Sequence, residues 1–261
     1  MEQKITKLEP SLDLGILVGL LLTDGSVCHT KSGHWRIKFM SKSEELHKLF
    51  TSLTSRVFDV DKFHEWSDSK SGVKQIVIES KEIFDKLTSI VPTFRTLPIE
   101  GQETQARIPE FIFQLTKDQK AEILRVMFST DGFVSLVPRW VKKDKCWRID
   151  FEVTLRSKHS VIKQQVGQLL EEFGIKPIID DTGVQIFKKS EIKTFSEEIG
   201  FVKCVKISKK SKMWEGFDKT QILDLTLKSF DLKRKDLQHF KTREEIISFL
   251  KSFLAPVKVA S

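Results

Sequence analysis

Two aspartates in matching contexts are the residues of this sequence best placed to do chemistry. Asp24 closes the run Leu17-Val-Gly-Leu-Leu-Leu-Thr-Asp-Gly25, and Asp131 closes Leu124-Arg-Val-Met-Phe-Ser-Thr-Asp-Gly132. Both runs are apolar and end in Thr-Asp-Gly, and positions 24 and 131 differ by 107. An aspartate at the C-terminal end of a helix lies beside free backbone carbonyls, at the negative end of the helix dipole. Two such ends side by side concentrate oxygen ligands, which suits a hard divalent cation such as Mg²⁺. Phosphodiester hydrolysis uses a carboxylate pair of this kind: the metal lowers the pKa of the attacking water and stabilises the leaving oxygen. A single Asp-Gly is an ordinary helix stop or turn, so it is the pair in register that points to a site.

The elements that must position the aspartates also recur. Trp35-Arg-Ile-Lys-Phe39 is answered by Trp147-Arg-Ile-Asp-Phe151, an offset of 112, and Ser71-Gly-Val73 by Thr182-Gly-Val184, an offset of 111. Each Gly-Val opens a β-prone run that leads into helical sequence, Ser80-Lys-Glu-Ile83 and Ser190-Glu-Ile192. Periodicity and stop signals predict a helix from Ser11 to Thr23, ended by Gly25, and a partner opening on the capping box Thr116-Lys-Asp-Gln119. After the first come hairpin sequence at Ser26–Phe39, a helix at Lys42–Phe58, hairpin sequence at Lys62–Ile78 and a helix at Lys81–Ile90. After the second come Phe133–Thr154, Lys158–Phe173, Lys176–Phe187 and Glu191–Ile199 in the same order. The expected fold is α+β: two pseudo-symmetric αββαββα halves, each with a curved antiparallel sheet, at residues 1–100 and 101–215. A helical basic tail follows at 216–261. Gly15 and Gly19, four apart, leave one face of the first helix bare for close packing, with Gly19 leaving room opposite Val126.

The strands alternate with period two, as a sheet with one wet face does. His34, Arg36 and Lys38 share a face, as do Arg148, Asp150, Glu152 and Thr154; Trp35 and Trp147 fall on the core side. Such faces suit the major groove, where arginine reads guanine and a carboxylate accepts from cytosine. The net charge of +8 fits an acidic partner, most commonly nucleic acid. The stretch Lys203–Lys235 holds ten Lys/Arg against four Asp/Glu, and Lys209, Lys210 and Lys212 are candidate phosphate contacts. The three cysteines form no CxxC pair, the N-terminus has no apolar signal core, and the longest apolar run, Leu14 to Leu22, is too short to span a bilayer. These features predict an intracellular protein, in cytoplasm, nucleoid or organelle matrix, with no membrane partner. With Met at position 1 and no C-terminal His-Asn, the chain reads as free-standing, an intron being one source of its gene.

Leu17–Gly25 and Leu124–Gly132 resemble the two signature helices of the LAGLIDADG homing endonuclease family, over roughly Leu12 to Lys212, and Pro109-Glu-Phe-Ile-Phe113 is similar to sequence preceding the family's second helix. The resemblance implies a single-chain, monomeric, Mg²⁺-dependent enzyme with two or three divalent ions, cutting a long asymmetric site in double-stranded DNA to leave short 3′ overhangs. It carries the acidic signature residue onto Asp24 and Asp131, with Thr23 and Thr130 beside them as metal contacts. Accessory polar and basic residues fall on Ser41 and Lys42, on Leu155-Arg156, with Arg156 a further DNA contact, and on Lys203 or Lys206. The second motif departs from the family at Val126, usually glycine, and at Ser129, often acidic. The alternative is a catalytically silent relative, a transcription regulator or a maturase binding intron RNA. Retention of both aspartates favours the enzyme.

Overall fold

The computed structural model describes residues 8–208 and 211–254; Lys209 and Lys210 lie outside the described residues. The first half runs α1 (Leu12–Thr23), β1 (Gly25–His29), β2 (Trp35–Ser41), α2 (Glu44–Phe58), β3 (His64–Ser67), β4 (Lys74–Glu79) and α3 (Lys81–Ile90). A linker and the short helix α4 (Glu110–Phe113) lead to the second half: α5 (Lys117–Thr130), β5 (Gly132–Val141), β6 (Cys146–Arg156), α6 (Ser160–Glu171), β7 (Ile178–Ile179), β8 (Gly183–Ile186) and α7 (Lys189–Thr194), which continues as a π turn over Phe195–Ile199. Each half holds a four-stranded antiparallel sheet, in the order β1-β2-β4-β3 and β5-β6-β8-β7. The αββαββα pattern therefore occurs twice with the same strand order.

The two halves meet along α1 and α5. Every residue from Leu14 to Leu22 is buried, as a helix apolar on all sides must be. Ser11 caps its start by accepting from the Leu14 N–H at 3.2 Å, and α5 opens on the capping box of Thr116 and Gln119. A Cβ on Gly15 would stand 2.7 Å from Ile123 Cδ1, and one on Gly19 would stand 3.3 Å from Met127 Cγ. The bare face of α1 thus receives Ile123 and Met127. Val126 is buried, but Gly19 makes room for these two side chains and not for Val126, contrary to the sequence expectation.

The register corrects the repeat. Gly25 pairs with Phe39, and Gly132 with Leu155. From 25 to 39 is 14 positions; from 132 to 155 is 23, nine more. Phe39 is therefore the counterpart of Leu155, and the two Trp-Arg-Ile words sit four ladder positions out of correspondence. Four is even, so each residue keeps its expected face while its place along the strand changes. Structurally, Trp35 answers Phe151, Arg36 answers Glu152 and Met40 answers Arg156.

The tail forms α8 (Lys219–Ser229), α9 (Arg234–Leu237) and α10 (Arg243–Lys251). It is built into the second half. Trp214, just before it, is buried and its indole N–H donates to the Leu136 carbonyl at 2.8 Å. Ile222, Leu223, Leu225, Leu237, Ile246 and Leu250 join the continuous core. Among the described residues no helix is long and apolar enough to cross a membrane.

Candidate active site

Asp24 and Asp131 stand at the adjacent ends of α1 and α5, each held from two sides. The Asp24 N–H donates to the Leu20 carbonyl at 3.1 Å, and its own carbonyl accepts from the Met40 N–H at 3.0 Å. The Asp131 N–H donates to the Met127 carbonyl at 3.3 Å, and its carbonyl accepts from the Arg156 N–H at 3.2 Å. The glycine of each Thr-Asp-Gly acts by being small. A Cβ on Gly25 would lie 2.4 Å from Leu21 Cα, and one on Gly132 would lie 2.4 Å from the Phe128 carbonyl oxygen. Neither glycine is left-handed, so each permits the strand to leave tightly across the last helical turn rather than supplying a left-handed stop.

Burial dominates the electrostatics. It pushes the Asp24 carboxyl up from its ordinary 3.8 to about 7, the Asp131 charge adding to the effect and that of Lys219 opposing it. Burial likewise raises Asp131 to about 6, against the pull of Lys219 and Arg156. Carboxylates left part-desolvated beside each other cost free energy unless a cation neutralises them. Burial also lowers the Lys219 ammonium to about 8, the charges of the two aspartates opposing it.

Lys219, the first residue of α8, stands beside the aspartates and was not singled out by the sequence. It is buried, and its ammonium donates to the carbonyls of Gly132 at 2.6 Å, Ser129 at 2.7 Å, Phe128 at 3.4 Å and Thr130 at 3.5 Å. It caps the negative end of α5 with a full positive charge. Lys203 and Lys206 are exposed, and among the described residues the cations acting on the aspartates are Lys219, on both, and Arg156, on Asp131. Lys42 is exposed and its charge acts instead on Asp68, in the β3–β4 loop. Ser41 is buried and accepts from the Ser43 N–H at 3.2 Å. Ser129 is buried too: it donates to the Arg125 carbonyl at 2.6 Å and accepts from the Val202 N–H at 2.7 Å, tying α5 to the segment after the π turn. The Thr23 and Thr130 hydroxyls donate into their own helices, at 2.9 Å to the Gly19 carbonyl and 2.8 Å to the Met127 carbonyl.

Arg156 is exposed, with its guanidinium 4.6 Å from the Phe133 ring centre. It lines a notch with Leu22, Thr23, Asp131 and the linker residues Thr96 and Leu97. Register places further residues on the two wet faces. Gln75, Glu79, His64 and exposed Trp66 lie with Arg36 and Lys38, while Arg139, Val137 and Ser135 lie with Arg148, Asp150 and Glu152. Several charges there are already paired. Arg36 Nε meets Glu79 at 2.7 Å, His34 Nδ1 meets the same carboxylate at 3.1 Å, Arg139 pairs with Asp150 and Arg148 with Asp144. Burial raises the Glu152 carboxyl, against the charge of Arg156. In Lys74-Gln75-Ile76-Val77-Ile78 two polar residues precede three apolar ones, so polarity gave no alternation to single out Gln75; Lys212 is exposed.

Among the described residues no cluster of three or more His, Cys, Asp or Glu side chains converges. A two-carboxylate site suits Mg²⁺, which keeps waters and takes its remaining oxygens from a phosphate.

Residues 118–200 match the family model of the LAGLIDADG-like domain. The alpha subunits of the ribonucleoside-diphosphate reductase NrdEB from Bacillus subtilis (strain 168) and from Bacillus phage SPbeta are each 27% identical over 168 residues, 62% of this chain. The match spans 14% of the length of each. The meganuclease I-SmaMI bound to uncleaveable DNA superposes with a TM-score of 0.50 at 13% identity, over 94% of this chain and 99% of that one. A structure of I-DmoI in complex with DNA and Mn gives 0.47 at 16% identity, over 72% and 96%. The paired sheets and helices are those of the LAGLIDADG homing endonuclease fold.

Proposed function

We propose that the chain is a monomeric, site-specific endonuclease that hydrolyses double-stranded DNA at the junction of its two halves. The observation that carries this reading is the pair of half-buried carboxylates, Asp24 and Asp131, at adjacent helix ends, both pushed up in pKa. Divalent metal, Mg²⁺ by the chemistry of the oxygens, would be held by Asp24 and Asp131 and would supply an acidified water and charge neutralisation at the phosphate. In hydrolysis the water oxygen bonds to phosphorus, one P–O ester bond breaks and the leaving oxygen takes a proton. Asp24 and Asp131 bind and orient; Lys219 fixes the end of α5 that carries Asp131; Arg156 offers the scissile phosphate a guanidinium. Arg36, Lys38, Gln75, Arg139, Arg148, Asp150 and Glu152 read base edges, one half-site per sheet. The reductase chemistry of the NrdEB relatives is not carried over, because the match covers so small a part of them.

Asp24→Asn and Asp131→Asn test this reading. Each is expected to abolish double-strand cleavage in Mg²⁺ while leaving DNA affinity within a few-fold. Full cleavage by either variant contradicts the shared site. Sequence-specific binding with no cleavage by the unaltered chain in any divalent ion points to the silent relative.

A further inference from the structure

The nine-residue lengthening of the β5–β6 hairpin and the C-terminal tail form one device. The hairpin leads outward from Asp131, and its ladder runs ten pairs, from Gly132–Leu155 to Val141–Cys146, against five for β1–β2. The tail covers the back of this extension. The Trp147 indole N–H donates to the Phe240 carbonyl at 3.1 Å, the Phe151 and Phe230 rings lie 4.8 Å apart, and Arg234 Nη2 donates to the Asp144 carbonyl in the tip at 2.6 Å. A two-stranded ribbon alone is marginal in water; this one is propped. Its front face carries Arg139, Arg148 and Asp150, and its tip carries Lys142, Lys143 and Lys145, all exposed and, among the described residues, without an ion pair.

From this geometry we infer that the second half grips a longer DNA half-site than the first, and that the tip lysines clamp the distal phosphates. The inference rests on the DNA reading above and goes beyond it. Nine residues shared by two strands add four to five residues of reach, or about 15 Å at roughly 3.3 Å per residue. That corresponds to about 4 base pairs, taking roughly 34 Å per ten. The first half has neither the extension nor the prop, so its contacts end sooner. The tail acts as a rigid support behind the ribbon, and its contribution to affinity comes through the hairpin it holds.

Hydroxyl-radical footprinting of the full chain tests this, on a site that the chain has selected from a randomised duplex library, with Ca²⁺ present. Protection is expected to extend about 4 base pairs further from the cleavage centre on one flank than on the other. Lys142→Gln/Lys143→Gln/Lys145→Gln, a change confined to exposed positions, should shorten the long flank alone. It should also make the log-affinity against log-salt slope shallower by about 0.9 per lost phosphate contact. Equal flanks, or a triple variant with unchanged footprint and slope, overturn the inference and leave the endonuclease reading standing. Failure to select any site overturns both.

Discussion

The two aspartates and Lys219 make a charge balance that has measurable consequences. Asp24 and Asp131 hold protons to about 7 and about 6 in the fold, against 3.8 ordinarily. The folded chain therefore binds protons more tightly than the unfolded chain between about pH 4 and 7, and metal-free stability falls as pH rises through that window. Asp24→Asn removes the burden: the metal-free variant should be more stable than the parent at pH 8, by roughly 1–2 kcal/mol after solvent screening, and little different at pH 4. Thermal denaturation at the two pH values checks it, and equal shifts at both would contradict it. Metal binding at pH 6 should release protons, seen calorimetrically as a heat that varies with buffer ionisation enthalpy. Lys219→Met leaves the α5 carbonyls without their ammonium and should destabilise by roughly 2–4 kcal/mol. In whatever fraction stays folded, it should move the pH profile of cleavage to higher pH, since Lys219 is what pulls both carboxyls down. A lowered plateau with an unmoved profile would mark Lys219 as merely structural.

At the scale of elements, the chain passes from helix to strand through two glycines that tolerate no side chain. Gly25→Ala and Gly132→Ala each drive a Cβ into backbone of the preceding turn and should cost roughly 1–3 kcal/mol. Gly15→Ala meets only the flexible end of Ile123 and should cost less, a ranking that chemical denaturation can read. Caps and periodicity made the helices legible: Ser11, Thr116 and the apolar run of α1 all act as their residue types suggest. The hairpin lengths were not legible. The words Trp35-Arg-Ile and Trp147-Arg-Ile aligned the halves with an offset of 112, whereas the ladders require 116 between Phe39 and Leu155. Alternation reports which face a residue takes and says nothing of how far along the strand it lies. Lys219 was hidden for a related reason. It is one of ten cations in a basic stretch, and only the fold of the tail brings its ammonium to the end of α5, some ninety positions earlier in the chain.

For the whole molecule, the pseudo-symmetry is in the topology and the asymmetry is in everything that would touch DNA. One wet face carries Arg36, Lys38 and Gln75; the other carries Arg139, Arg148, Asp150 and Glu152 on a longer, propped ribbon. A single chain of this kind should select a non-palindromic site of roughly 20 base pairs, with the longer flank under the second half. Glu152→Gln should relax preference on one side of the cut only, by about 1–3 kcal/mol if it accepts from cytosine. The duplication that predicted this architecture was readable because both Thr-Asp-Gly ends survive intact; the tail, with no counterpart after the first half, offered no repeat to read against. The most direct test of the central claim is cleavage of a randomised duplex library by the chain and by its Asp24→Asn and Asp131→Asn variants, in Mg²⁺ and in Ca²⁺. The account predicts one long asymmetric sequence cut near its centre by the unaltered chain in Mg²⁺, and uncut by either variant. Recovery of a short palindrome, or undiminished cutting when either carboxylate is gone, would contradict it.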